Sequence, residues 1–183
     1  MTEATSPQTL DKEGKSAFQR GDYLAAAHAF EAAGQGFEAA NDAINAAEMA
    51  NNACVAYLQA NEPETALKIV ENTPAIFGAA GDLRRQGMAL GNLGTALEAL
   101  KRYDEAILNY QQSADLLEQA GEDKLRADVM QSRSSLLFKM GRQMEAVAAM
   151  QQGLEGVKNP SLKQKFMKSL LRIPMNMLGA KQP

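Results

Sequence analysis

One histidine, His28, and one cysteine, Cys54, are the strongest candidate metal ligands and nucleophiles in this sequence. Each stands alone. A metal or catalytic centre needs several such groups converging on one point. His28 is flanked instead by alanines and a phenylalanine in AAAHAF (25–30), and Cys54 lies in the run MANNACVAYL (49–58). His28 reads as a surface residue and Cys54 as a small buried hydrophobe. The acidic pairs Asp104–Glu105 and Glu122–Asp123 fall at expected helix starts, where a carboxylate favours the helix dipole. Gly87, Gly91 and Gly94 lie in a helical context with no Gly-Lys-Ser/Thr after them, so they predict close helix packing and not a phosphate loop. The ten methionines read as fillers of irregular core gaps. No catalytic residue, metal site or cofactor is expected, and the chain is not expected to be an enzyme.

The elements that carry these residues repeat. Ala26, Ala66, Ala106 and Ala146 are spaced by 40 residues. Twelve positions earlier stand Gly14, Cys54, Gly94 and Ser134, all small; four positions later stand Phe30, Val70, Tyr110 and Met150, all bulky. Phe37, Phe77, Leu117 and Val157 form a further apolar column, and AAND, AAGD and QAGE mark recurring turns. Helix-forming Ala, Leu, Gln, Glu and Lys abound, and only 5% of residues are aromatic. Each unit predicts two antiparallel helices, A and B; in the third these run from about Asp82 to Leu100 and from about Tyr103 to Ala120. Small residues at the Gly94 and Ala106 columns let the two backbones approach. A pair this short cannot bury its own apolar face, so stacked neighbours must complete the core. Pro74 lies inside helix B of the second unit and predicts a break near Thr73.

The third unit, GNLGTALEALKRYDEAILNY, and the first, EGKSAFQRGDYLAAAHAF, resemble the tetratricopeptide repeat: a Gly in helix A, a Tyr at the turn, then Ala and an aromatic. The second and fourth units match less well. A 40-residue period resembles the extended subtype of kinesin light chains, spindle-orienting adaptors and NSF-attachment proteins. The resemblance implies an all-α, right-handed array of antiparallel helix pairs. Residues 1–7 would be a flexible start, and four repeats would occupy about 8–40, 41–80, 81–120 and 121–157. A basic capping helix would follow at 158–174, with a tail at 175–183. The family binds proteins or peptides, so the implied function is an adaptor that holds a peptide or protein segment in a concave groove.

Helix A residues that turn away from helix B would line that groove. Register places Lys12 and Lys15 there from the first unit, and Asn51 and Asn52 from the second. Met88, Asn92 and Thr95 come from the third, and Asp128, Gln131, Ser132 and Ser135 from the fourth. Asn52, Asn92 and Ser132 share one column. An amide offers a donor and an acceptor, so a ladder of this kind can pair with a peptide backbone of any sequence. Members that clamp chaperone carboxylates carry Lys or Arg at columns that here hold Asp11, Met88 and Asn92, so no such clamp is expected.

Charge is divided unevenly. Residues 1–155 hold 13 basic against 22 acidic side chains, net −9, while residues 156–183 hold six basic and no acidic ones. Within that segment Leu162, Phe166, Leu170 and Ile173 form an apolar stripe among Lys163, Lys165, Lys168 and Arg172. The expected role is a cap over the end of the array; contact with a membrane or partner is the alternative. A mixed or acidic groove with few aromatics disfavours nucleic acid. A cytoplasmic, monomeric or weakly self-associating protein is the expectation, self-association through the array ends being the alternative role.

Overall fold

The structure, a computed structural model, describes residues 5–155. Nine helices occupy them. The first unit is α1 (Pro7–Arg20) against α2 (Tyr23–Ala39), and the second is α3 (Ala43–Gln59) against α4 (Pro63–Val70) and α5 (Thr73–Ala79). The third is α6 (Leu83–Ala99) against α7 (Tyr103–Gln119), and the fourth is α8 (Asp123–Lys139) against α9 (Gln143–Leu154). Each unit also packs on the next, through α2 on α3, α4 and α5 on α6, and α7 on α8. The architecture is an all-α array of helix pairs. The expected basic helix at 158–174 and tail at 175–183 lie outside the described residues, as do residues 1–4.

Every helix pair closes through one turn geometry. Gly21, Asn41, Asn61, Gly81, Lys101, Gly121 and Gly141 all have φ between 58° and 85°, and they recur every 20 residues. The residue after each returns its backbone N–H to a carbonyl five positions back, as Asp42 to Phe37 and Arg102 to Leu97 do. This satisfies carbonyls that the ended helix leaves open. The next helix then starts under a side-chain cap where one is available: Asp42 accepts from the Asn45 N–H at 3.1 Å, and Asp82 from the Arg85 N–H at 2.9 Å.

The repeated columns form the core. Ala26, Ala66, Ala106 and Ala146 are each completely buried. The small column serves the bulky one: a Cβ on Gly14 would stand 2.8 Å from the Phe30 ring, and one on Gly94 2.8 Å from the Tyr110 ring. Where the small residue carries a side chain, as at Cys54 and Ser134, the bulky column falls to Val70 and Met150. Ser134 uses its hydroxyl to donate to the Ala146 carbonyl at 2.7 Å. The glycine run of α6 lies against α7. A Cβ on Gly87 would meet the Leu117 side chain at 2.8 Å, and Gly91 faces Ser113 and Val129.

Helix B of the second unit breaks at Glu71 and Asn72, between α4 and α5. Pro74 cannot donate to the preceding turn, so a new helix starts at Thr73. The buried Thr73 hydroxyl spans the break, placed 2.9 Å from the Val70 carbonyl and 3.1 Å from Asn51 Oδ1.

Candidate functional site

Two hollows open between A helices of successive units, and the same six repeat positions build both. The first, about 260 Å³ between α1 and α3, is lined by Lys15, Phe18, Gln19, Phe30, Asn52 and Val55. Adding 80 to each number gives Thr95, Glu98, Ala99, Tyr110, Ser132 and Ser135, which line the second hollow, about 650 Å³, between α6 and α8. Lys101, Tyr103, Asp128, Gln131 and Lys139 complete its wall.

Their chemistry differs. In the first hollow Lys15 pairs with Asp11 at 2.6 Å, and the Phe18, Phe30 and Val55 side chains line the space beside Gln19 and Asn52. Phe18 is steadied by the Tyr23 ring, edge-on with centroids 5.2 Å apart. In the second hollow the Tyr110 hydroxyl donates to Glu98 at 3.0 Å and stands 3.3 Å from the Thr95 hydroxyl. Burial, reinforced by the Glu98 charge, raises the Tyr110 phenol well above its ordinary pKa, so the hydroxyl remains a donor. The Lys139 ammonium sits over the Tyr103 ring, 5.0 Å from its centroid.

At the junction between the hollows the equivalent positions are Val55, Leu58, Gln59, Val70, Asn92 and Thr95. There α3 packs directly on α6, and Leu58 and Leu93 pack against the core. The interrupted helix of the second unit lies behind this junction, with α4 and α5 both packed on α3 and α6.

Of the residues expected to face a groove, Lys15 and Asn52 meet in the first hollow. Thr95, Asp128, Gln131, Ser132 and Ser135 meet in the second. Asn92 is half-buried at the junction between them, Met88 and Lys12 are exposed outside both, and Asn51 is turned to Thr73. The hollows also use Phe30 and Tyr110, read from sequence as packing residues alone, and the turn residues Lys101 and Tyr103. Their signal was the pairing of Gly14 with Phe30 and of Gly94 with Tyr110: a ring packed over a glycine backbone presents its edge to the A-helix face.

Residues 85–159 match the family model of the tetratricopeptide repeat. That stretch is a run of tetratricopeptide repeats. No curated protein matches it. The matched stretch contains the whole of α7, α8 and α9, most of α6, and every residue of the second hollow. Tetratricopeptide repeats are protein-interaction modules and are in general not catalytic. Outside that stretch His28 is exposed, its ring 6.2 Å from that of Tyr57, and Cys54 is fully buried with its thiol pKa pushed up by burial to about 12. A thiol held protonated in this way is a poor nucleophile. Among the described residues no group of three or more His, Cys, Asp or Glu side chains could hold a metal, and no helix is long and apolar enough to cross a membrane.

Proposed function

We propose that the protein is a non-enzymatic adaptor that holds an extended segment of a partner protein along the face between its A helices. The observation that carries this reading is the construction of two hollows from one set of six repeat positions. Asn52 lies at the first hollow, Asn92 at the junction and Ser132 at the second, so the polar column runs the length of the face, where a peptide backbone could pair with it.

The test is site-specific photo-crosslinking in the native cytoplasm. A photoreactive residue at Ser135, on this face, should capture partner protein, whereas one at Leu108, exposed on α7, should not. Changing Asn52 and Asn92 together to Ala should lower capture and weaken affinity roughly tenfold, from two lost hydrogen bonds of about 0.5–1.5 kcal/mol each. Equal capture from both positions would move the site off this face.

A further inference from the structure

The two ends of the described array are finished differently. Three columns of each inner A helix turn to the unit before it: Met49, Ala53 and Ala56 on α3, and Ala89, Leu93 and Ala96 on α6. All but Leu93 are buried. At the same columns α1 carries Thr9, Glu13 and Ser16, each of them exposed. The first unit thus offers water a polar flank, as the end of a stacked array requires.

The fourth unit does the opposite. The column of Met150 holds Phe30, Val70 and Tyr110, none more than 3% exposed, and Phe30 and Tyr110 reach the hollows shared with the following A helix. Met150 itself is half-buried, as is Val147 one turn before it on the same face of α9. An apolar flank left open to water invites cover. We propose that residues 161–173 of the same chain fold back on this flank of α9 and close it with the stripe Leu162, Phe166, Leu170 and Ile173.

A second copy continuing the array would fit badly. Its first unit would bring Thr9, Glu13 and Ser16 against Met150 and Val147, burying polar groups on an apolar surface. The flank is also not shaped for a regular fifth repeat. Leu154 stands at the column of Gly34, where a Cβ would already lie 3.5 Å from the Met49 Cβ of the next helix. Glu155 is extended, at φ −70° and ψ 138°, where the earlier corners use a left-handed residue.

Reach, length and charge favour the chain's own segment. Residues 156–160 can span about 16 Å at 3.3 Å per residue, more than the 8–10 Å between packed helix axes. The stripe from Leu162 to Ile173 covers 12 residues, as α9 does. At the end of α9 the carboxylates of Asp115, Glu118 and Glu155 line a hollow of about 290 Å³. The cation among them, Arg126, pairs with Glu118 at 3.5 Å and donates to the Glu155 carbonyl at 3.0 Å. Three carboxylates against one guanidinium leave negative charge beside a segment that holds six basic and no acidic residues.

The experiment places a photoreactive residue at Val147 of the full chain and maps crosslinks by mass spectrometry in a mixture of light and heavy isotope-labelled protein. Gln151, exposed on α9, is the second position should the Val147 variant melt early. Crosslinks should fall within residues 161–173 and join peptides of one isotope only, while the same probe at Ser16 should not reach that segment. Phe166→Asp with Leu170→Asp should abolish the crosslink and lower the melting temperature by several degrees. Lys165→Glu with Lys168→Glu should reduce the crosslink yield. Crosslinks joining light to heavy chains would assign the flank to a second copy and overturn the inference. So would a probe on α9 that never reaches residues 161–173, or an unchanged melting temperature in the double Asp variant.

Discussion

The Tyr110 ring occupies the volume in which a side chain on Gly94 would begin: a Cβ there would lie 2.8 Å from two ring carbons and 3.3 Å from the Ala106 carbonyl. Tyr110 is 2% exposed and held at its hydroxyl by Glu98, so the ring cannot swing aside without losing that bond. Gly94→Ala should therefore cost about 1–3 kcal/mol, read as a lower midpoint in urea unfolding. Unit two indicates the remedy, since Cys54 is matched there by Val70. Adding Tyr110→Val to Gly94→Ala should cost less than the two single losses summed, and a strictly additive cycle would refute the pairing.

Thr73 holds a broken helix together with one hydroxyl. Thr73→Val keeps the shape but removes the single hydroxyl proton that the Val70 carbonyl and Asn51 Oδ1 share. The expected loss is about 1–3 kcal/mol, with faster amide exchange in residues 70–76 than elsewhere. Asn51→Ala should reproduce only part of it, because the Val70 bond survives.

Cys54 predicts a response to alkali. Its pKa rises from 9.0 to about 12 on folding because burial disfavours the thiolate. Above pH 9 the unfolded chain releases a proton that the folded chain retains, so this contribution is intact below pH 9 and is lost as pH climbs toward 12. The slope is about 1.4 kcal/mol per pH unit. Tyr57 and Tyr110 have pKa values raised in the same direction and add to the decline at higher pH. Cys54→Ala should be less stable than the parent at pH 8 and should close that gap between pH 9 and 11. A gap that stays constant would mean the thiol ionises as freely folded as unfolded.

Lys101→Gly tests the strain at its turn. Glycine adopts positive φ without a Cβ penalty, so the variant should be more stable by about 0.5–1 kcal/mol, measured by thermal unfolding. A variant that gains nothing in stability would show that the turn is unstrained.

The helix pairs, their partners and the break before Pro74 were legible because each follows from chemistry local to the chain. Columns of Ala, small and bulky residues at fixed period fix which faces meet, and proline stops a helix wherever it falls. The hollows were legible only in part. Register placed Lys15, Asn52, Thr95 and Ser132 on the A-helix face, but it could not show how closely α3 packs on α6 between the two hollows. Nor could it show Lys139 over Tyr103, since those residues come from different units and their meeting depends on how one pair is tilted on the next.

The left-handed turn residues beat at 20 positions, whereas the side chains beat at 40. The backbone alone would accept a single helix inserted or lost at any of these corners, because every corner has one shape. The side chains would not, since a helix B sequence in an A slot brings the wrong knobs to the glycine column. Length change in this chain is therefore quantised in pairs of helices. Excising residues 41–80 would keep every column in phase and set Lys15 and Phe18 opposite Asn92 and Thr95. A shorter protein would result, with a hybrid hollow, apolar on one wall and polar on the other.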